Sequence, residues 1–273
     1  MIKIIDIDSL FDKYIKDYVY KNIGKVKPEE IEDNIPKLYD KFGKENLAEL
    51  DGLTPETYYE KYSAKELLEC LKEHVEKGIS VSDFLCEALT KKTDSEKDFL
   101  WALNNVENDE YIAYLMNILA DMDIIPVSRY MEFIVLNYPD NISELATELL
   151  CKRADQAKDL IFAEIETADK GEKEKFCEIL SNCQKDDKVF DILILEFAKN
   201  KDKRQLYASY LARFGDERAL PFLLNAIEDE KISYADFEEL RFTIEALGGE
   251  YNKARDFSKD RSYNLIKKDK TKS

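Results

Sequence analysis

Cys70, His74, Asp83 and Cys86 are the residues of this 273-residue chain whose types and spacing come closest to a metal centre. Gly78 separates two stretches with helical patterning. An antiparallel hairpin about it sets Cys70 opposite Cys86 and His74 opposite Asp83. Cys70 and His74 are i, i+4 on one helical face. Two thiolates, an imidazole and a carboxylate could hold a tetrahedral zinc ion. The competing reading is packing. Isolated cysteines behave as small core hydrophobes, and a carboxylate in a helix's first turn is favoured by the helix dipole. The spacing lacks a CxxC pair, so no metal or cofactor is assigned. His74 is the sole histidine. Histidine-assisted nucleophilic catalysis would have to use it, yet Leu71 and Val75 flank it and no partner motif accompanies it. No catalytic residue is assigned. Cys177 and Cys183 lie six apart on one predicted helix, face different ways and cannot bridge without distortion.

A second group suggests recognition. Asp155, Asp186 and Glu217 recur at a 31-residue step, each at the start of a predicted helix. They could form an acidic ladder for a basic partner, or simply stabilise three helix N-termini. Lys158 stands where Val189 and Leu220 stand, and Glu196 where Ile165 and Ile227 stand. These five charged residues are the candidate partner-binding positions. Tyr58, Tyr59, Tyr62 and the single Trp101 could make an aromatic recognition surface. Trp101 follows Phe99 and Leu100 on an apolar stripe, so core packing explains it at least as well.

The elements that must carry these residues are repeats. Between Asn141 and Asp229, the same 31-residue step links Leu149, Leu180 and Leu211. It also links Leu145, Phe176 and Tyr207, and Ala146, Cys177 and Ala208. Two further columns are Ile161, Ile192 and Leu223, and Phe162, Leu193 and Leu224. Apolar columns at such a period mark stacked supersecondary units. Helix pairs are predicted at 141–153 with 155–168, 171–183 with 187–199, and 202–214 with 216–229, then a last helix at 233–247. The short connectors make antiparallel neighbours.

Before the repeats, the pattern predicts a helix from Asp8 or Ser9 to about Lys21, ended by Gly24. Another starts at Pro28 and is split by Pro36. Helices follow over 63–77 and after Ser80 or Ser82, then from Asp94 or Ser95, Asn108, and Pro126 or Ser128. The divisions read from this are a helical region 1–62, irregular hairpins 63–138, repeats 139–250, and a basic flexible tail 251–273. In that tail eight Lys and Arg face three Asp, giving +5.

Composition agrees with an all-α chain. Eight Gly and six Pro are few, and 44% of residues are hydrophobic. The net charge of −17 lowers the expectation of nucleic-acid binding, which relies on neutralising phosphates. It also disfavours anionic membranes. The start of the chain does not read as a secretory signal, and no apolar run is long enough to span a bilayer. Five scattered cysteines fit a reducing, cytoplasmic setting.

Phe214-Gly215-Asp216-Glu217-Arg218-Ala219-Leu220-Pro221, followed by Leu223, Leu224, Ala226, Ile227 and Asp229, resembles a HEAT-like repeat of the variety named from phycobilisome lyases. Ile244 to Gly248 resembles the end of a first helix in such a unit. The match is good over 202–250, looser over 141–200 and architectural before 140. The resemblance implies an all-α superhelix, a HEAT-like solenoid with a divergent helical N-terminal region. It implies a protein-binding scaffold or adaptor with an unidentified partner, its second helices lining a concave face. It does not imply lyase activity, because the motif lies in scaffold helices. The alternative reading is a HEAT-like enzyme acting on nucleic-acid bases, or a modifying lyase. Oligomeric state is not legible.

Overall fold

The computed structural model describes residues 2–22, 31–261 and 263–264. The expected helix end at Gly24, the helix start at Pro28 and the lysines at 267–272 lie outside these. Helices make up the fold, with no strand among the described residues. The chain divides into two compact units, Met1–Pro126 and Val127–Ser273.

The first unit contains α1 (Ile7–Lys21), α2 (Ile35–Phe42), α3 (Pro55–Tyr58), α4 (Ala64–Glu76), α5 (Asp83–Thr90), α6 (Glu96–Asn104) and α7 (Asp109–Asp121). Local chemistry sets the starts. Asp6, rather than Asp8 or Ser9, caps α1 by accepting from the Ser9 amide at 2.8 Å. Ser63 and Glu66 form a reciprocal capping box on α4. Asn108 accepts from the Tyr111 amide to cap α7. Pro36 sits in the first turn of α2, which therefore begins at Ile35. Residues 2–6 precede α1 without regular secondary structure. The core combines Leu67, Leu71, Leu85, Leu89, Phe99, Leu103, Ile112, Leu115 and Leu119. Phe11, Tyr39, Phe42 and Phe84 add an aromatic cluster, with ring centroids 4.8–6.5 Å apart.

The second unit contains α8 (Val127–Val135), α9 (Asp140–Cys151), α10 (Ala154–Glu164), α11 (Lys170–Leu180), α12 (Asp187–Lys199), α13 (Arg204–Phe214), α14 (Leu220–Ile227) and α15 (Tyr234–Ala246). The first helices α9, α11, α13 and α15 stack on one another in sequence. Ala146, Cys177 and Ala208 are completely buried along that stack, and Leu149, Leu180 and Leu211 run beside them. Small side chains at the first column let the helices approach closely. Helix α8 packs on both α9 and α10, so residues 127–135 sit with the repeats and not with the hairpins before them.

The expected flexible tail is, over its described part, packed. Phe257 meets the rings of Tyr234 and Phe237, and Tyr263 meets Tyr234, at 5.0–5.3 Å. Arg255 donates to the carbonyl of Ile227 at 3.0 Å. Lys253 pairs with Glu228. Charged residues dominate the tail's composition, whereas the rings of Phe257 and Tyr263 make these contacts.

Candidate functional site

Helix α4 carries Cys70 and His74 on its buried face. His74 Nδ1 lies 2.8 Å from the Cys70 carbonyl oxygen and 3.7 Å from its sulfur, and Nε2 lies 3.3 Å from the carbonyl of Ile5. Both ring nitrogens therefore face backbone carbonyl oxygens, one on α4 itself and one on the N-terminal segment. Burial pushes the Cys70 thiol up to about 12. Burial, with Asp83 and Asp121 adding negative charge, pushes Cys86 up to about 11. Among the described residues no three His, Cys, Asp or Glu side chains are placed to hold one metal ion. All five cysteines are free. The structure thus does not bring the four candidates together. Helix α4 turns Cys70 and His74 into the core, while Asp83 remains in the exposed first turn of α5.

Two of the three acids of the ladder, Asp155 and Asp186, are engaged from repeat to repeat. Asp155 accepts from the backbone amide of Gln184 at 3.1 Å. Asp186 caps α12 through the amides of Lys188 and Val189, and also accepts from Lys158 Nζ at 2.9 Å. These contacts, the Lys158 hydrogen bond first, hold its carboxyl below the usual range. Glu217 is exposed in a 3-10 turn, and its neighbour Asp216 does the capping. Asp216 accepts from the Arg218 amide and guanidinium at 2.7–3.1 Å, and that guanidinium lowers its pKa. Arg218 then reaches Asp187 of the preceding repeat at 2.8 Å. Glu196 is buried at 8% exposure, where it accepts from Asn200 and Lys199.

The second helices do not keep the 31-residue step. Their fully buried positions are Ala157, Val189 and Ala219, then Ile161, Leu193 and Leu223. Ile165, Phe197 and Ile227 form the next buried set. The steps are 32 and then 30 residues. Lys158 and Glu196 are therefore not interruptions of the core columns. Lys158 is equivalent to Phe190, and Glu196 lies beside the buried column that runs through Phe197. The corrected alignment exposes a column hidden from the sequence. Leu160, Ile192 and Phe222 are equivalent; Leu160 at 38% and Phe222 at 46% are exposed, and Ile192 is half-buried. Exposed Asp159 and Asp191 immediately precede two of them. Phe222 also lines a groove of about 660 Å³ between α12 and α14, with Phe197, Ala198, Lys201 and Pro221.

The aromatic candidates separate. Tyr58 and Tyr59 are buried and stacked edge to face at 5.0 Å. Trp101 is 69% exposed, so of its two readings core packing does not hold. The buried face of α6 is Phe99, Ala102 and Leu103, and Trp101 falls off it. That offset from the i, i+4 pair Phe99 and Leu103 was the available signal. Trp101 lines a groove of about 530 Å³ against α4 and α7.

No helix among the described residues is long and apolar enough to cross a membrane. A family model described as the PBS lyase HEAT-like repeat matches residues 208–229. No curated protein and no solved structure matches the chain. The matched segment takes in most of α13, the left-handed Gly215, the Asp216 cap and all of α14. The chain is therefore a helical-repeat protein carrying a PBS lyase HEAT-like repeat.

Proposed function

We propose that the protein is a scaffold that binds a protein partner across the second helices of its repeats. The observation that carries this reading is the column Leu160, Ile192 and Phe222. Apolar side chains left exposed or half-buried at the same place on successive repeats are the kind of surface that protein partners cover. Asp159 and Asp191 stand beside the column without an ion-pair partner among the described residues, which favours a partner segment with basic residues flanking its apolar anchors. The cations of these helices are already engaged. Lys158 pairs with Asp186, Arg218 with Asp216 and Asp187, and Lys188 lies over the ring of Phe162 at 4.1 Å. That speaks for a protein partner over a phosphate backbone. Five free thiols fit a reducing compartment such as the cytoplasm.

The test is affinity capture from native lysate with the wild-type chain and a Leu160→Ser, Ile192→Ser, Phe222→Ser variant. The three side chains are partly exposed, and far-UV circular dichroism checks that the variant keeps its helices. A partner enriched at least tenfold on the wild type and lost on the variant is expected. Capture of the same proteins by both chains, or of none by either, would overturn the proposal.

A further inference from the structure

We infer that residues 265–273 of this chain dock on its own repeat face, in the groove between α12 and α14, and that a partner must displace them. The inference rests on the reading of that face as a partner surface. The segment runs Leu265-Ile266-Lys267-Lys268-Asp269-Lys270-Thr271-Lys272-Ser273, an apolar pair followed by four lysines and one aspartate. It lies beyond the described residues, which lead up to it at Asn264. Its composition is that expected of a ligand for the face, apolar anchors beside basic residues.

The described tail already reaches this groove. Lys253 pairs with Glu228, and Arg255 donates to the Ile227 carbonyl, both at the C-terminal end of α14. Glu228 also lines the groove of about 660 Å³, so the contact made by the tail is continuous with it. Tyr263 then packs on Tyr234 at the start of α15, which is packed on α14. Nine extended residues span at most about 30 Å. Phe222 lies five residues, or about 7.5 Å, along α14 from Ile227. Ile192 is one helix further, about 8–10 Å away. Both are within the reach of the segment.

Charge and its order favour the same placement. Counting every Asp, Glu, Lys and Arg, residues 154–164, 186–199 and 216–229 carry −2, −2 and −3, and residues 265–273 carry +3. The groove itself is neutral, with Lys201 and Arg204 against Glu228 and Asp229. Its apolar walls are Phe197, Ala198, Pro221, Phe222 and Ala226, which suit Leu265 and Ile266. Beyond it, Asp191 on α12 and Asp159 on α10 have no ion-pair partner among the described residues. Read away from Asn264, the segment is apolar and then basic. Read away from α15, the face is an apolar groove and then unpaired acid.

Zero-length carbodiimide cross-linking of the full chain tests this, with monomer isolated before peptide mass spectrometry. Bonds from the lysines of 267–272 to Asp191 or Asp159 are expected. They should fall at least tenfold in a Leu265→Ser, Ile266→Ser variant, which circular dichroism shows to be folded. The inference is overturned by absence of these bonds, by bonds to Glu238 and Glu239 of α15 alone, by bonds found only between two chains, or by bonds that the variant retains. Affinity capture with the chain truncated after Asn264 separates this from the scaffold reading. At least tenfold more partner on the truncated than on the full chain supports both. Cross-links to Asp191 or Asp159 with no partner captured by either chain uphold the docking and remove the scaffold reading alone. Equal capture by the two chains, without those cross-links, keeps the scaffold reading and overturns the docked segment.

Discussion

Asp186 accepts from two backbone amides of its own helix and from an ammonium one repeat earlier. Replacing it with alanine leaves the α12 N-terminus uncapped and should cost about 1–2 kcal/mol in denaturant unfolding. Its pKa is lowered in the fold, as is that of Asp216 beside Arg218. A depressed carboxyl contributes stability that is fully present above its unfolded pKa and disappears as pH falls through the folded one. Stability should therefore decline below about pH 4, and Asp186→Asn should decline less steeply there. Unfolding midpoints measured from pH 6 to pH 2 check this, and identical slopes would count against it. The thiols give a second expectation. Cys177 is fully buried with its pKa raised by burial, so native protein at pH 8 should leave it unlabelled by iodoacetamide until unfolding. Labelling at the rate of a free thiol, read by mass spectrometry, would contradict the structure. At this scale the sequence was a poor guide to role. Lys158 and Glu196 look like misfits in a 31-residue grid, but they are an inter-repeat ion pair and a buried, hydrogen-bonded carboxylate.

Within the elements, helix ends were legible because capping is local. Ser63, Asn108, Gly215 and Asp216 act where their types predict. Gly215 has φ +74°, a conformation that a Cβ disfavours, so Gly215→Ala should cost about 1 kcal/mol. Gly249 differs, because it is a close-approach position. A Cβ there would lie 2.7 Å from Leu220 Cδ2 and 2.9 Å from Ile244 Cγ2. Gly249→Ala should cost about 1–3 kcal/mol through overpacking, and a thermal midpoint equal to wild type would refute that contact. The register of the second helices was not legible. Ile192, Leu193, Ile194 and Leu195 are all apolar, so a 31-residue and a 32-residue step fit the pattern equally. Burial separates them, taking Leu193 and Ile194 inside and leaving Leu195 outside. The column of Leu160, half-buried Ile192 and Phe222 follows from that choice.

In the whole molecule, the two compact units each have their own core. The described tail belongs to the second, where Tyr251 and Phe257 cover Phe237 and Phe257 also meets Tyr234. Truncation after Glu250 should lower the thermal midpoint by uncovering these rings, and an unchanged midpoint would show that the strap contributes nothing. The sequence by itself determined that the chain is helical, that its apolar columns recur at a step of about 31 residues, where several of the helices are capped and that a HEAT-like repeat lies over residues 208–229. Those properties depend on periodicity and on contacts between residues a few positions apart. Tertiary structure alone decided that the described part of the tail packs and that Asp155 and Asp186 are bonded between repeats. It also decided which apolar residues of the second helices remain open. Each of these depends on what a side chain meets from another element of the chain, and helical periodicity carries no information about that.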